Sequence, residues 1–152
     1  MLFRSTLDGA NIEIKECVGD ENIFIFGKTV EEVEELWARG YNPGDIYEAN
    51  ECLRTLLEWI GCDFFTPGEH NVLLPIKQSL LNHGDPFLVM ADFEDYIRAQ
   101  HEVDAAFADK ERWARMAILN AARVGMFSSD RTIRQYNEDI WHLQPIRVTV
   151  DE

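Results

Sequence analysis

Ile23-Phe24-Ile25-Phe26-Gly27-Lys28-Thr29-Val30-Glu31-Glu32-Val33-Glu34-Glu35-Leu36-Trp37 holds the change of pattern on which a reading of the fold turns. Its first four residues are an unbroken run of β-branched and aromatic side chains ending at Gly27. That composition suits a strand buried on both faces, as in a parallel sheet. From Thr29 the period lengthens. Thr29 and Glu32 have the spacing of a capping box, in which each side chain satisfies the other's free backbone N–H. Val30, Val33, Leu36 and Trp37 then fall on one helical face, and Gly40 stands where a glycine closes a helix. The stretch reads as an extended segment feeding a helix.

Working upstream, Ile12 and Ile14 read as a second extended run, separated from the first by a turn at Gly19-Asp20. Asp8-Gly9 is a tight-turn signal, because glycine reaches positive φ and aspartate accepts local backbone hydrogen bonds. Residues 1–28 are therefore expected to be extended. Two strands alone do not make a stable sheet in water, so their neighbours are expected upstream of this chain.

Downstream, 29–152 reads as a helical region of about six helices. Asp45 with Glu48 opens the second, with Leu53, Leu56, Leu57 and Ile60 as its apolar face and Gly61 as its stop. A third spans Leu73 to Leu81, with Pro75 in the first turn. Phe87-Leu88-Val89-Met90 is a short buried run, either a strand or the entry to a helix. Asp92 and Asp95 mark the next helix start, and Asp109 the one after, with Trp113, Met116, Ala117, Asn120 and Val124 on one face. Ser129 or Asp130 caps a final helix over about 129–142. Its Ile133, Tyr136, Asn137, Ile140 and Trp141 follow the i, i+3, i+4, i+7, i+8 stripe.

The 152 residues are expected to form a single partial domain. The net charge of −14, from 14 Lys+Arg against 28 Asp+Glu, argues against binding nucleic acid or an anionic membrane. Cys17, Cys52 and Cys62 contain no C-x-x-C pair and suit reduced thiols in a cytoplasmic protein. No apolar run reaches the roughly 18–20 residues of a membrane span. His70, His83, His101 and His142 show no metal spacing, and Glu31, Glu32, Glu34 and Glu35 lack the alternating ligands of a calcium loop. No metal site is expected. Ser128-Ser129-Asp130-Arg131 has the anion-attracting position of a helix start, but before an amphipathic run it is read as a cap.

Three segments carry more than composition when taken in order: Thr6-Leu7-Asp8-Gly9-Ala10-Asn11, Asp20-Glu21-Asn22-Ile23-Phe24-Ile25-Phe26-Gly27 and Phe127-Ser128-Ser129-Asp130-Arg131-Thr132-Ile133. With Phe64-Phe65-Thr66-Pro67 and Ala91-Asp92-Phe93-Glu94-Asp95-Tyr96, they resemble the C-terminal end of the α-glucan (glycogen, starch, maltodextrin) phosphorylases, from Thr6 to about Trp141. The resemblance implies an α/β, mostly helical piece: the last part of the second Rossmann-like domain of a glycosyltransferase-B fold, with short N-terminal strands. It implies a pyridoxal phosphate-dependent glycosyltransferase that phosphorolyses α-1,4-glucan to glucose 1-phosphate.

In that family the cofactor lysine lies just upstream of this stretch, in a Gly-Thr-Gly-Asn-Met-Lys context, which Met1-Leu2-Phe3-Arg4-Ser5 does not match. The chain is therefore expected to be a fragment that binds no pyridoxal phosphate and is inactive alone. No catalytic or cofactor-binding residue is assigned to it. Lys15, Lys28, Lys77 and Lys110 all lack the glycine-rich context of the cofactor site. Thr6, Asp8, Gly9 and Asn11 are implied to be scaffolding behind that site. The expected partners are the rest of the phosphorylase chain, with α-glucan and phosphate in the intact enzyme and a homodimer for the full-length family. The alternative is a stand-alone acidic helical module that binds another protein. Under the fragment reading, the Ile133–Trp141 stripe or the edge at Ile23–Phe26 is expected to be partly uncovered.

Overall fold

A computed structural model describes residues 9–144 and residue 146. The described residues are mostly helical, with eight α-helices. These are α1 (Gly9–Val18), α2 (Val30–Ala38), α3 (Pro43–Ala49), α4 (Glu51–Gly61), α5 (Leu74–Leu81), α6 (Val89–Ala108), α7 (Lys110–Arg123) and α8 (Ser129–Tyr136). Short 3-10 turns fill Asp20–Asn22 and Gly125–Phe127.

The first helix corrects the sequence expectation of extended structure over 1–28. Gly9–Val18 is helical, and its buried residues are Asn11, Ile14 and Val18. Those positions recur every three to four residues, which is one face of a helix. The alternation suggested by Ile12 and Ile14 does not hold, because Ile12 points to solvent. Gly19, at φ 89°, ends the helix in a conformation that suits glycine. The expected turn at Gly9 does have positive φ, 40°, but a helix follows it.

Ile23–Phe26 packs on two sides, Ile23 and Phe24 buried and Ile25 and Phe26 partly so, but in place of the expected strand the described residues show only a single bridge at Phe24. Alternation along extended backbone explains its packing. Ile23 joins Ile14 and Val18, with Cys17, Val124 and Phe127 around them. Phe24, the next residue, enters a separate cluster with Ala106 and Met116, flanked by Val103 and Trp113. Ile25 returns to the first cluster. One extended segment thus joins α1 to the α6–α7 pair.

The helical region holds more elements than the six read from sequence, partly because the helix expected from Asp45 to Ile60 is two. Asn50 interrupts it with extended φ and ψ, ending α3 and capping α4 through a bond from Leu53 N–H to Asn50 Oδ1 of 2.9 Å. Leu53 and Leu57 of α4 pack with Met90 of α6 into a third cluster, flanked by Ile46, Ile60 and Phe93. The Thr29–Glu32 capping box forms as its spacing requires, with Glu32 N–H on Thr29 Oγ1 at 3.3 Å and Thr29 N–H on Glu32 Oε2 at 2.8 Å. Pro75 lies in the first turn of α5, and Asp109 caps α7.

The final helix changes character part-way along its length. α8 ends at Tyr136, and Asn137–Trp141 continues as a wider π turn closed by His142 in the left-handed region. Asn137 locks that exit by bonding both the carbonyl and the N–H of Leu143, each at 2.8 Å. Neither Ser129 nor Asp130 caps α8; Ser128 holds the cap position without a side-chain bond.

Candidate functional site

Three aspartates at and before the start of helix α6 grip other elements: Asp85, four residues ahead of it, and Asp92 and Asp95 in its first turns. Asp85, just before the helix, is fully buried. It accepts from Val89 N–H at 3.0 Å, Met90 N–H at 2.8 Å and the Tyr41 hydroxyl at 2.7 Å. The two backbone bonds satisfy free N–H groups of the first helical turn, where a carboxylate also complements the helix dipole. Burial first, and then the Asp85 carboxylate, push the Tyr41 phenol well above its ordinary value. The sequence signal for the helix start, Asp92 with Asp95, was therefore misplaced; Asp85 in the His83–Pro86 break performs the capping.

Asp92 and Asp95 instead reach back to the extended segment. Lys28 N–H donates to Asp92 Oδ1 at 3.0 Å, and Gly27 N–H to Asp95 Oδ2 at 2.8 Å. Arg98 completes the clamp. It donates to the Ile25 carbonyl at 3.1 Å while pairing with Asp95 at 2.6 Å and Glu102 at 2.7 Å. Desolvation holds the Asp92 carboxyl above its usual value, whereas the Arg98 bond holds Asp95 below it. Phe26 meets Tyr96 edge to face at 5.2 Å. These contacts join residues some seventy positions apart, and neither periodicity nor capping signals could reveal them.

A second tie is polar and buried. Asn120 of α7 donates to the Asn22 carbonyl at 2.7 Å and to the Met116 carbonyl at 2.9 Å. Asn22 and Arg123 both donate to the Val18 carbonyl, at 2.8 and 2.9 Å, and so close the C-terminal end of α1. Of the implied scaffold residues, Thr6 and Asp8 lie outside the described residues. Gly9 opens α1, and Asn11 is buried on its inner face.

A Schiff-base lysine is desolvated and held beside an anchored cofactor. Lys15 pairs with Asp20 at 3.5 Å, and Lys77 with Glu58 at 3.0 Å. Lys28 lies on a cleft with Glu32 and Glu35. Lys110 donates to the Phe107 carbonyl at 2.8 Å and sits 3.5 Å over the Phe107 ring. Among the described residues no group of three acidic, histidine or cysteine side chains is arranged to hold a metal ion, and no helix is long and apolar enough to cross a membrane.

Among the described residues, an uncovered apolar stripe runs from Ile133 to Ile146. Ile133 is 54 % exposed, Ile140 61 % and Trp141 48 %, with Tyr136, Leu143 and Ile146 also exposed. Tyr136 and Trp141 stack on each other at 5.6 Å. The helix they belong to packs mainly on its own flanking turns. Of the two regions expected to be uncovered, this stripe is, whereas Ile23 and Phe24 are buried.

The carbohydrate phosphorylase family model matches residues 1–143. The chain is 50% identical over 147 residues to glycogen phosphorylase of Synechocystis sp., covering 97% of this chain and 17% of that protein. It is 45% identical over 142 residues to the muscle form of glycogen phosphorylase of Homo sapiens and 44% identical to that of Oryctolagus cuniculus, in each case over 93% of this chain and 17% of the relative. The chain therefore spans about a sixth of the length of these relatives. Nothing in these matches favours the stand-alone module. With the match running through almost all of its sequence, this chain belongs to the carbohydrate phosphorylase family.

Proposed function

We propose that this chain supplies the C-terminal, mostly helical part of an α-glucan phosphorylase, which splits α-1,4-glucan with phosphate to give glucose 1-phosphate. The identity of about half to glycogen phosphorylases along nearly the whole chain carries this reading. The chain forms one partial domain: the last part of the second Rossmann-like domain of a glycosyltransferase-B fold. In the intact protein the extended Ile23–Phe26 segment takes its place at the edge of that domain's sheet. The family uses pyridoxal phosphate, and its lysine and the groups that contact glucan and phosphate belong to the remainder of the phosphorylase. The surroundings of Lys15, Lys28, Lys77 and Lys110 support this division.

In this reading the chain's own residues perform no proton transfer or nucleophilic attack. The Asp92–Asp95–Arg98 clamp holds the extended segment against α6, which fixes the position of the sequence on its N-terminal side. Gly9 and Asn11, with Thr6 and Asp8, scaffold the region behind the cofactor. The exposed Ile133–Trp141 face docks on the rest of the phosphorylase, the assembled protein is a homodimer, and its compartment is the cytoplasm.

The test is a phosphorolysis assay with glycogen, phosphate and pyridoxal phosphate. The chain alone is expected to give no glucose 1-phosphate and no bound-cofactor absorbance band. Mixed with the separately expressed remainder of the phosphorylase, it is expected to restore turnover. Product from the chain alone would place the chemistry on one of its four lysines and overturn the division of labour.

A further inference from the structure

Against the net charge of −14, helix α7 gathers three arginines around one concavity. Arg112, Arg115 and Arg123 line a cleft of about 340 Å³ together with Asn22, Met116, Leu119 and one carboxylate, Glu21. Glu21 accepts from the Asn22 side-chain amide at 2.8 Å and forms no ion pair with these arginines. Elsewhere in the described residues, Arg39 pairs with Glu35, Arg98 with Asp95 and Glu102, and Arg134 with Asp130, while Arg54 and Arg131 bond to carbonyl oxygens and an amide. Among the described residues the guanidinium groups of Arg112 and Arg115 have no carboxylate or carbonyl partner. Arg123 is fixed by one bond, to the Val18 carbonyl at 2.9 Å, which orders one wall of the cleft.

Arg112 and Arg115 are one turn apart on α7, and like charges at that spacing repel one another unless an anion lies between them. Acidic residues are twice as numerous as basic ones in this chain, yet only one faces the cleft. Guanidinium groups present planar forks of donors, which match the oxygens of a tetrahedral oxyanion better than any other side chain does. The volume lies at the small end of the range for ligand clefts, which suits phosphate or a phosphorylated monosaccharide.

We propose that the Arg112–Arg115–Arg123 cleft binds a phosphate group, either as the free ion or as a phosphate monoester. The charge pattern carries this inference independently of the glucan-phosphorylase reading, and a binding measurement separates the two.

The experiment titrates inorganic phosphate, and in a second arm glucose 1-phosphate, into the purified chain at constant ionic strength, followed by amide and arginine Nε shifts in NMR. Saturable shifts centred on α7 are expected, with a dissociation constant on the order of 1 mM. The variant Arg112→Gln/Arg115→Gln is expected to weaken binding at least about tenfold. Neither side chain holds the fold through a hydrogen bond, so this variant retains its structure. The control Arg39→Gln/Arg134→Gln removes the same charge elsewhere and is expected to bind normally. Equal affinity in the two arms identifies the ligand as free phosphate; tighter binding of glucose 1-phosphate identifies a sugar phosphate. Shifts that fail to saturate, or an equal loss in the control, would overturn the proposal by showing only diffuse attraction to positive charge.

Discussion

Replacing the buried loop residue Asp85 by alanine is expected to be strongly destabilising. The carboxylate is 0 % exposed and holds three donors at once: two N–H groups at the start of α6 and the Tyr41 hydroxyl from the α2–α3 connection. Each bond to a charged acceptor contributes about 1.5–3 kcal/mol, but the three are not additive, and dehydrating the carboxylate opposes them. Removing the acceptor while its partners stay buried gives a net loss of about 3–5 kcal/mol. Tyr41→Phe removes one donor and leaves the other two, so about 1–2 kcal/mol is expected. In the Asp85→Ala background the same tyrosine change should cost close to nothing, because its hydroxyl has already lost its partner. Urea unfolding followed by far-UV circular dichroism measures all four proteins. A loss under about 1 kcal/mol for Asp85→Ala, or strict additivity of the pair, would show that the buried carboxylate is not the joint between α6 and Tyr41.

Leu57→Ala empties a position 1 % exposed between α4 and α6, and calorimetry or urea unfolding should show a loss of about 2–5 kcal/mol. The folded-state value of Asp95 is depressed by Arg98, so its contribution is present above the ordinary carboxylate range and is lost as pH falls through the depressed value. Arg98→Ala should therefore flatten the acid side of a stability–pH profile, and an unchanged acid slope would contradict the clamp. Asp92 behaves oppositely: its value is raised by burial, so the folded state binds its proton more tightly and this group's contribution declines as pH rises. Asp92→Asn keeps an acceptor for Lys28 N–H, so its stability relative to the parent should improve from acid to neutral pH. Ile133→Asp/Ile140→Asp lies on an exposed face and should change the chain's own unfolding by less than about 0.5 kcal/mol, while abolishing restoration of phosphorolysis by the remainder of the enzyme; intact restoration would reassign the docking surface.

The local signals were those that short-range chemistry dictates. The Thr29–Glu32 box, Pro75 in a first turn, the Asp109 cap and the Met116–Asn120 buried face of α7 are all properties of residues within one or two turns of each other, so the sequence alone determined them. Family membership was equally legible, because ordered motifs from Thr6 to Ile133 carry it. What tertiary structure decided were the competitions between comparable local preferences. Ile12 and Ile14 suited a strand, but burial of Asn11, Ile14 and Val18 against Ile23 selected the helix. Asp92 and Asp95 suited a helix start, but distant backbone N–H groups took them, and buried Asp85 became the cap. A side chain's hydrogen-bonding capacity is written in its chemistry; which partner claims it depends on what the folded chain brings within 3 Å.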